Sequence, residues 1–310
     1  MRRIALLLIL VVAAACGSDG DHAVPPSSGP GSTVAPIEST TTAPPMEPAA
    51  TACERLLAPV VLGTVDSPDL DEISGVALSR DHDGVLWAHE DSGSGPVLWA
   101  LSLEGRVLDR IEVAAAAVDW EDLAVGPGPG GDHVYIADTG DNDESRDAVA
   151  LHRFPEPEVG AAAAAAETLV LTYPDGPRDV EAMLVDPVTG DLYLIAKEFG
   201  AEASLYRVPS GAWETGTVVA DRVGSVPVCL LSPVTGADVS PDGSVVVVRT
   251  YRSVLLFTRT ERAALHEAFA VPGCAGPVPP EVQGEAVAWA AGGYLTIAEG
   301  VSARIYSVSG

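Results

Sequence analysis

From Cys53 onward, short runs of apolar and β-branched residues recur, separated by turns rich in Asp, Pro and Gly. Within the runs apolar positions alternate with polar ones or are continuous over four to six residues, the pattern of half-buried and fully buried strands. No stretch carries a long helical period; the alanine run 161–166 is too short for one and leads directly into a strand.

Five segments align with one another, starting at Ile73, Trp120, Val180, Val234 and Gly284. Each reads as strand a, a tight turn, strand b, a longer loop, strand c and strand d. The a–b turns are RDHDG, DPVTGD, SPDG and AAGG in the first, third, fourth and fifth segments, residues that supply the bends and positive φ values of hairpins. The pattern assigns strand d to ETLVLTY in the second segment, TGTVVADRV in the third and HEAFAVP in the fourth. The fifth ends without one, and residues 57–65, LAPVVLGTV, are a spare strand ahead of the first. Antiparallel four-stranded units repeated about an axis form a propeller, and pairing the spare strand into the last unit closes the ring. The expectation is an all-β, five-bladed β-propeller over residues 53–310.

Strand a lines the channel of a propeller. One column across the five a strands is polar: Ser74, Glu121, Glu181, Thr235 and Glu285. Carboxylates converging on one axis must protonate, be separated by water or share a cation. Oxygen-only ligands suit a hard cation, and Ca²⁺ tolerates irregular coordination better than Mg²⁺. The alternative is a water-filled polar channel holding a carboxyl of raised pKa.

The pieces Ile73-Ser74-Gly75, Trp120-Glu121-Asp122-Leu123, Val180-Glu181-Ala182 and Gly284-Glu285-Ala286 resemble the strand starts of calcium-activated nucleotidases (apyrases), whose propeller holds a central calcium. They are also similar to SdiA-regulated proteins and esterase-like phytase domains. The resemblance covers residues 70–310 and implies a calcium-bearing propeller. Thr235 stands where such propellers usually have Ser.

The b–c and d–a loops share one face of the disc. The upper ends of the b strands read His89, Asp138, Lys197, Arg249 and Glu299, with Asp91, Asp141, Asn142, Glu198, Tyr251 and Arg252 nearby, and Asp119, Arg178 and Asp179 from the d–a side. Lys197, Arg178, Arg249 and Arg252 could hold phosphate or carboxylate. Asp119, Asp138 or Asp141 could act as a general base, with Lys197 and Arg249 as further catalytic candidates, or a second cation could sit there. The bland readings are Asx turns around Gly140, ion pairs between neighbouring blades and a structural His89. The opposite face carries mostly tight turns and reads as structural.

The chain carries a net charge of −27; Arg2, Arg3 and four acids precede residue 53, which leaves −25 on the propeller. Such a surface offers nothing to nucleic acid and is repelled by anionic headgroups. The N-terminus changes the setting. Residues 1–15 read as an export signal, and Ala13-Ala14-Ala15-Cys16 resembles the lipobox of bacterial lipoproteins, in which the Cys carries acyl chains, palmitate among them. Residues 16–52 are a Pro-, Ser- and Thr-rich tether without lysine or arginine. The expectation is a monomer anchored by lipid to the extracytoplasmic face of the cell membrane, touching the membrane through that anchor alone. In that oxidising setting Cys229 (in VPVC) and Cys274 (in VPGC) are expected to form a disulfide, leaving Cys53 over.

Three functions fit these features: a module that binds a small polar ligand or an envelope protein on its charged face, a Ca²⁺-dependent hydrolase of phosphoanhydrides or phosphoesters, and a lactonase or esterase.

Overall fold

The computed structural model describes residues 53–310; the expected signal, tether and lipidated Cys16 lie outside the described residues. After β1 (Val60–Thr64), the first blade runs outward from the channel as β2 (Ile73–Leu78), β3 (Val85–Glu90), β4 (Val97–Ser102) and β5 (Val107–Val113). The second is β6 (Trp120–Gly128), β7 (Gly131–Asp138), β8 (Val149–Pro155) and, after the short β9 (Ala163–Ala164), β10 (Glu167–Thr172). The third is β11 (Val180–Val185), β12 (Leu192–Ala196), β13 (Glu202–Val208) and, after β14 (Thr217–Val219), β15 (Asp221–Pro227). The fourth is β16 (Val234–Val239), β17 (Val245–Thr250), β18 (Val254–Thr258) and β19 (Cys274–Gly276). In the fifth, β20 (Gly284–Ala290), β21 (Gly293–Ala298) and β22 (Arg304–Ser309) are completed by β1, antiparallel to β22.

The protein is therefore a five-bladed β-propeller closed by its N-terminal strand, as the spare strand predicts. Five apolar clusters fill the wedges between neighbouring blades. The one joining the fifth blade to the first packs Ile73, Val76 and Leu86 against Ala286, Leu295 and Ile305, so the ring has no open gap.

Two strand d assignments differ from the sequence pattern. In TGTVVADRV the first half, β14, crosses to the second blade and lies parallel to β10; strand d of the third blade is β15. The fragment HEAFAVP is mostly a 3₁₀ helix, Leu265–Ala270, whose Leu265, Ala268 and Phe269 bury against the third and fourth blades. The three residues of β19 take the strand position instead. In a similar crossing, β9 of the alanine run adds a parallel edge to the first blade.

The expected Cys229–Cys274 disulfide is not formed. Cys274 bonds to Cys53, with Cα atoms 6.1 Å apart, and Cys229 is not a free thiol. Like motifs do not mean like positions here. Cys274 sits in the outermost strand of the fourth blade, beside the N-terminal segment that enters the fifth, and both cysteines pack into the apolar cluster between those two blades. Cys229 lies beyond β15, in the connection to the fourth blade.

Every strand a carries the same irregularity. The ladder with strand b shifts register between Ile73 and Gly75, Trp120 and Asp122, Val180 and Ala182, Val234 and Gly236, and Gly284 and Ala286. The residue skipped each time is a member of the polar column: Ser74, Glu121, Glu181, Thr235 or Glu285. A β-bulge sets two residues against one and re-aims a side chain. The bulge thus explains why adjacent residues Glu121 and Asp122 both turn toward the channel, where strict alternation would send one of them into the blade.

Candidate metal centre

The five bulge residues are buried at the upper end of the channel, where strands a begin. The two hydroxyls serve the backbone. Ser74 Oγ donates to the Glu121 carbonyl at 2.6 Å, and Thr235 Oγ1 donates to the carbonyls of Gly284 (2.9 Å) and Glu285 (3.1 Å). Each ties its blade to a neighbour. The three glutamates differ in company. Glu285 accepts from Gln283 Nε2 at 2.7 Å, an amide that also reaches Glu299 at 3.1 Å. Glu181 is ion-paired with Lys197, whose ammonium lies 5.4 Å from the centre of the Tyr251 ring. Glu121 is 3% exposed, and its carboxylate accepts no hydrogen bond among the described residues.

Glu121 instead faces other carboxylates. It belongs to two groups, Asp91–Asp119–Glu121 and Glu121–Asp179–Glu181, and within each group one oxygen per residue lies within 4.8 Å of the others. Two ring members are thereby joined by three aspartates of the upper loops. Gly140 closes over them: a Cβ there would sit 2.0 Å from Glu121 Oε1 and 2.5 Å from Asp119 Oδ2.

The electrostatics follow from this crowding. Burial, followed by the charges of Glu181, Asp91, Asp119 and Asp179, pushes the Glu121 carboxyl far above the usual range. Burial also raises Glu181 despite its ion pair with Lys197, and raises Glu285 to about 7. Asp119 is raised by burial and by Asp91, and Asp179 by burial. For Lys197 the loss of water opposes the charge, but Glu181 outweighs it and holds the ammonium charged. Buried carboxylates that repel one another, all offering oxygen, form a cluster that could hold a hard cation.

Most of the other face candidates have structural partners. Asp138 accepts from the N–H groups of Val118 and Asp119, both at 3.1 Å, and pairs with Arg146 at 2.9 Å; it shapes the loop that presents Asp119. Asp141 folds its own loop, accepting from Ser145 N (2.9 Å) and Arg146 N (2.8 Å), while its N–H donates to Asp179 at 2.9 Å. Asn142 is exposed beside it. Glu198 accepts from both the N–H and the hydroxyl of Ser204. His89 is fully buried edge-to-face on Trp120, with Nδ1 2.9 Å from the Glu90 carbonyl, and burial lowers its pKa.

The basic residues are largely engaged. Arg249 is buried against Gly284 and pairs with Glu281 at 2.7 Å. Arg178 donates to Tyr206, to the Pro177 carbonyl and to Asp175. Arg252 is exposed. Sequence reasoning missed Gln283, Gly140 and Asp122. The first two are recognised only from loops that fold back over the channel, and Asp122 only from the bulge.

No protein-family model and no curated protein matches the sequence. Among solved structures the chain is similar to Raptor of Chaetomium thermophilum, with 12% identity and a TM-score of 0.42. That match covers 79% of this chain and 20% of Raptor. At that level nothing about binding or catalysis passes between the two, and the five-bladed architecture rests on the strand pairing itself.

Proposed function

We propose that the protein is a lipid-tethered, extracytoplasmic propeller that holds Ca²⁺ in the upper mouth of its channel and binds a small polar ligand or an envelope protein there. The observation that carries the cation is Glu121, a buried carboxylate without a hydrogen-bond donor among the described residues, held within 4.8 Å of two pairs of carboxylates. Asp91, Asp119, Glu121, Asp179 and Glu181 would supply the first ligands. Lys197 counters part of the charge on Glu181, and Ser74, Thr235 and Gln283 hold the surrounding backbone and Glu285 in place. The lipid anchor and export rest on the lipobox-like Cys16 and the composition of residues 1–52.

A binding module is favoured over the hydrolase by the state of the cationic side chains. Of the four cations that could grip a phosphate, Arg249, Arg178 and Lys197 are held by Glu281, by Asp175 and Tyr206, and by Glu181, which leaves the exposed Arg252. Calcium titrated into chelator-treated protein should raise Tm and show saturable binding by calorimetry. Gly140→Ala should weaken that binding at least tenfold with little change in the stability of the cation-free protein, because the added methyl displaces Glu121 and Asp119 without altering charge. A wild-type protein that neither binds calcium nor gains Tm ends the proposal. Turnover of nucleotides, phytate, lactones or simple esters that requires calcium would transfer it to the hydrolase reading.

A further inference from the structure

The lower mouth of the channel, where strands a end, opens into a cavity of about 570 Å³. The sequence suggests nothing but tight turns on this face. The volume is that of a pocket for a small organic molecule. Leu78, Val125, Val239, Pro241 and Trp289 form apolar walls contributed by four of the five blades. Three charged side chains interrupt them: Arg80, Asp132 and Asp238.

Arg80 and Asp132 balance each other, with Nη1 donating to Oδ1 at 3.3 Å. Asp238 is different. Its Oδ1 accepts from the N–H of Val239 and its Oδ2 from the N–H of Trp289, both at 2.7 Å; among the described residues no cationic side chain forms an ion pair with it, and Arg80, already paired with Asp132, acts on it only at longer range. Each oxygen keeps a lone pair, and the residue remains partly exposed, toward the cavity. Burial raises its pKa to about 6, so the carboxylate is largely ionised at neutral pH. The three charges of the cavity, one positive and two negative, sum to a single negative one beside an indole.

That combination selects the ligand class. A hard metal ion needs six or more oxygens, and the walls are hydrocarbon. A carboxylate or phosphate would be repelled by Asp238. A protonated amine on an apolar body satisfies both parts: the ammonium meets the free lone pairs of Asp238, and the body lies against Trp289, which also attracts cations through its ring. A chain of net charge −27 draws such cations in. We propose that the lower cavity is a binding site for a small organic ammonium with an aromatic or branched aliphatic body, separate from the acidic mouth above.

The test uses benzylamine as probe and benzyl alcohol as its uncharged counterpart, titrated calorimetrically into the full chain with calcium saturating the upper mouth. Benzylamine should bind at least tenfold more tightly than benzyl alcohol at pH 7.5, and its affinity should fall as the pH drops through about 6. Asp238→Asn and Trp289→Leu should each weaken it at least tenfold while leaving the calcium response intact. Ala290→Phe at the rim should block it by filling space, which keeps the test decisive should Asp238→Asn unfold. Glu121→Gln should leave it unchanged. The proposal fails if benzylamine does not bind up to about 10 mM, if benzyl alcohol binds equally, if Ala290→Phe has no effect, or if Glu121→Gln removes the binding.

Discussion

Glu121 and Asp122 are neighbours in sequence, enter the same channel from the same bulge, and do opposite things. Asp122 crosses to the facing blades: Oδ2 accepts the N–H of Met183 in the third blade at 2.8 Å and of Ala237 in the fourth at 3.3 Å, and Oδ1 accepts that of Leu123 at 2.9 Å. Glu121 meets no donor among the described residues and looks onto other carboxylates. Asp238, lower down, repeats the Asp122 arrangement by accepting the N–H of Trp289 in the fifth blade. The channel thus holds two kinds of buried acid. One kind is matched to backbone donors and joins blades. The other, Glu121, has no donor among the described residues, and in the proposed reading a metal ion completes it. Burial raises the pKa of both, so the shift alone does not separate them; the donors do.

The largest expected effect is on the joining acids. Asp122→Ala leaves three backbone N–H groups without an acceptor, and should cost about 3 kcal/mol or more. Thermal unfolding should record a Tm lower by roughly 6–12 °C, since each kcal/mol moves Tm by about 2–4 °C in a domain of this size. Glu121→Gln should do the reverse in cation-free protein, leaving Tm equal or higher because mutual repulsion is relieved. It should also weaken calcium at least thirtyfold, about 2 kcal/mol. A Glu121→Gln variant as unstable as Asp122→Ala would erase the distinction between the two.

The smallest effect is the dependence on pH. Above the ordinary glutamate value of 4.5, the unfolded chain releases protons that the cation-free channel keeps on Glu121, Glu181 and Glu285. The folded state then binds more protons than the unfolded one, so stability falls as pH rises, until each raised folded-state pKa is passed. Glu285 completes its part near pH 7, while Glu181 and Glu121 continue above it. Calcium, which needs the ionised forms, should flatten this slope and release protons on binding at neutral pH. Calorimetry in buffers of different ionisation enthalpy counts those protons; binding with none released would mean that the acids are already ionised.

Much of this was legible in the sequence. Hairpin turns at a regular spacing reveal the blades, and a missing last strand with a spare first one reveals the closure. The polar column was legible as well, because bulges in corresponding places leave the same alternation behind them. What was not legible depends on contacts between blades. The segment TVV is as good a strand as DRVGSVP, and only space beside β10 sends it to the second blade. The fragment CAG has no strand signature and is placed by the partner its cysteine finds in Cys53. Arg249 reads as a surface cation until Glu281, 32 residues on, is seen beside it. Asp91, Asp119 and Asp179 are visible as face residues, but their meeting at Glu121 is a property of the closed ring.

The Cys53–Cys274 bond also sets a load path. Cys53 precedes β1, so tension applied through the residues before it passes across the disulfide into β19 of the fourth blade before it reaches the closing strand. With the bond intact, a pull is shared between two blades and β1 stays seated on β22. With it reduced, the same pull falls first on the pairing of β1 with β22, the seam of the ring.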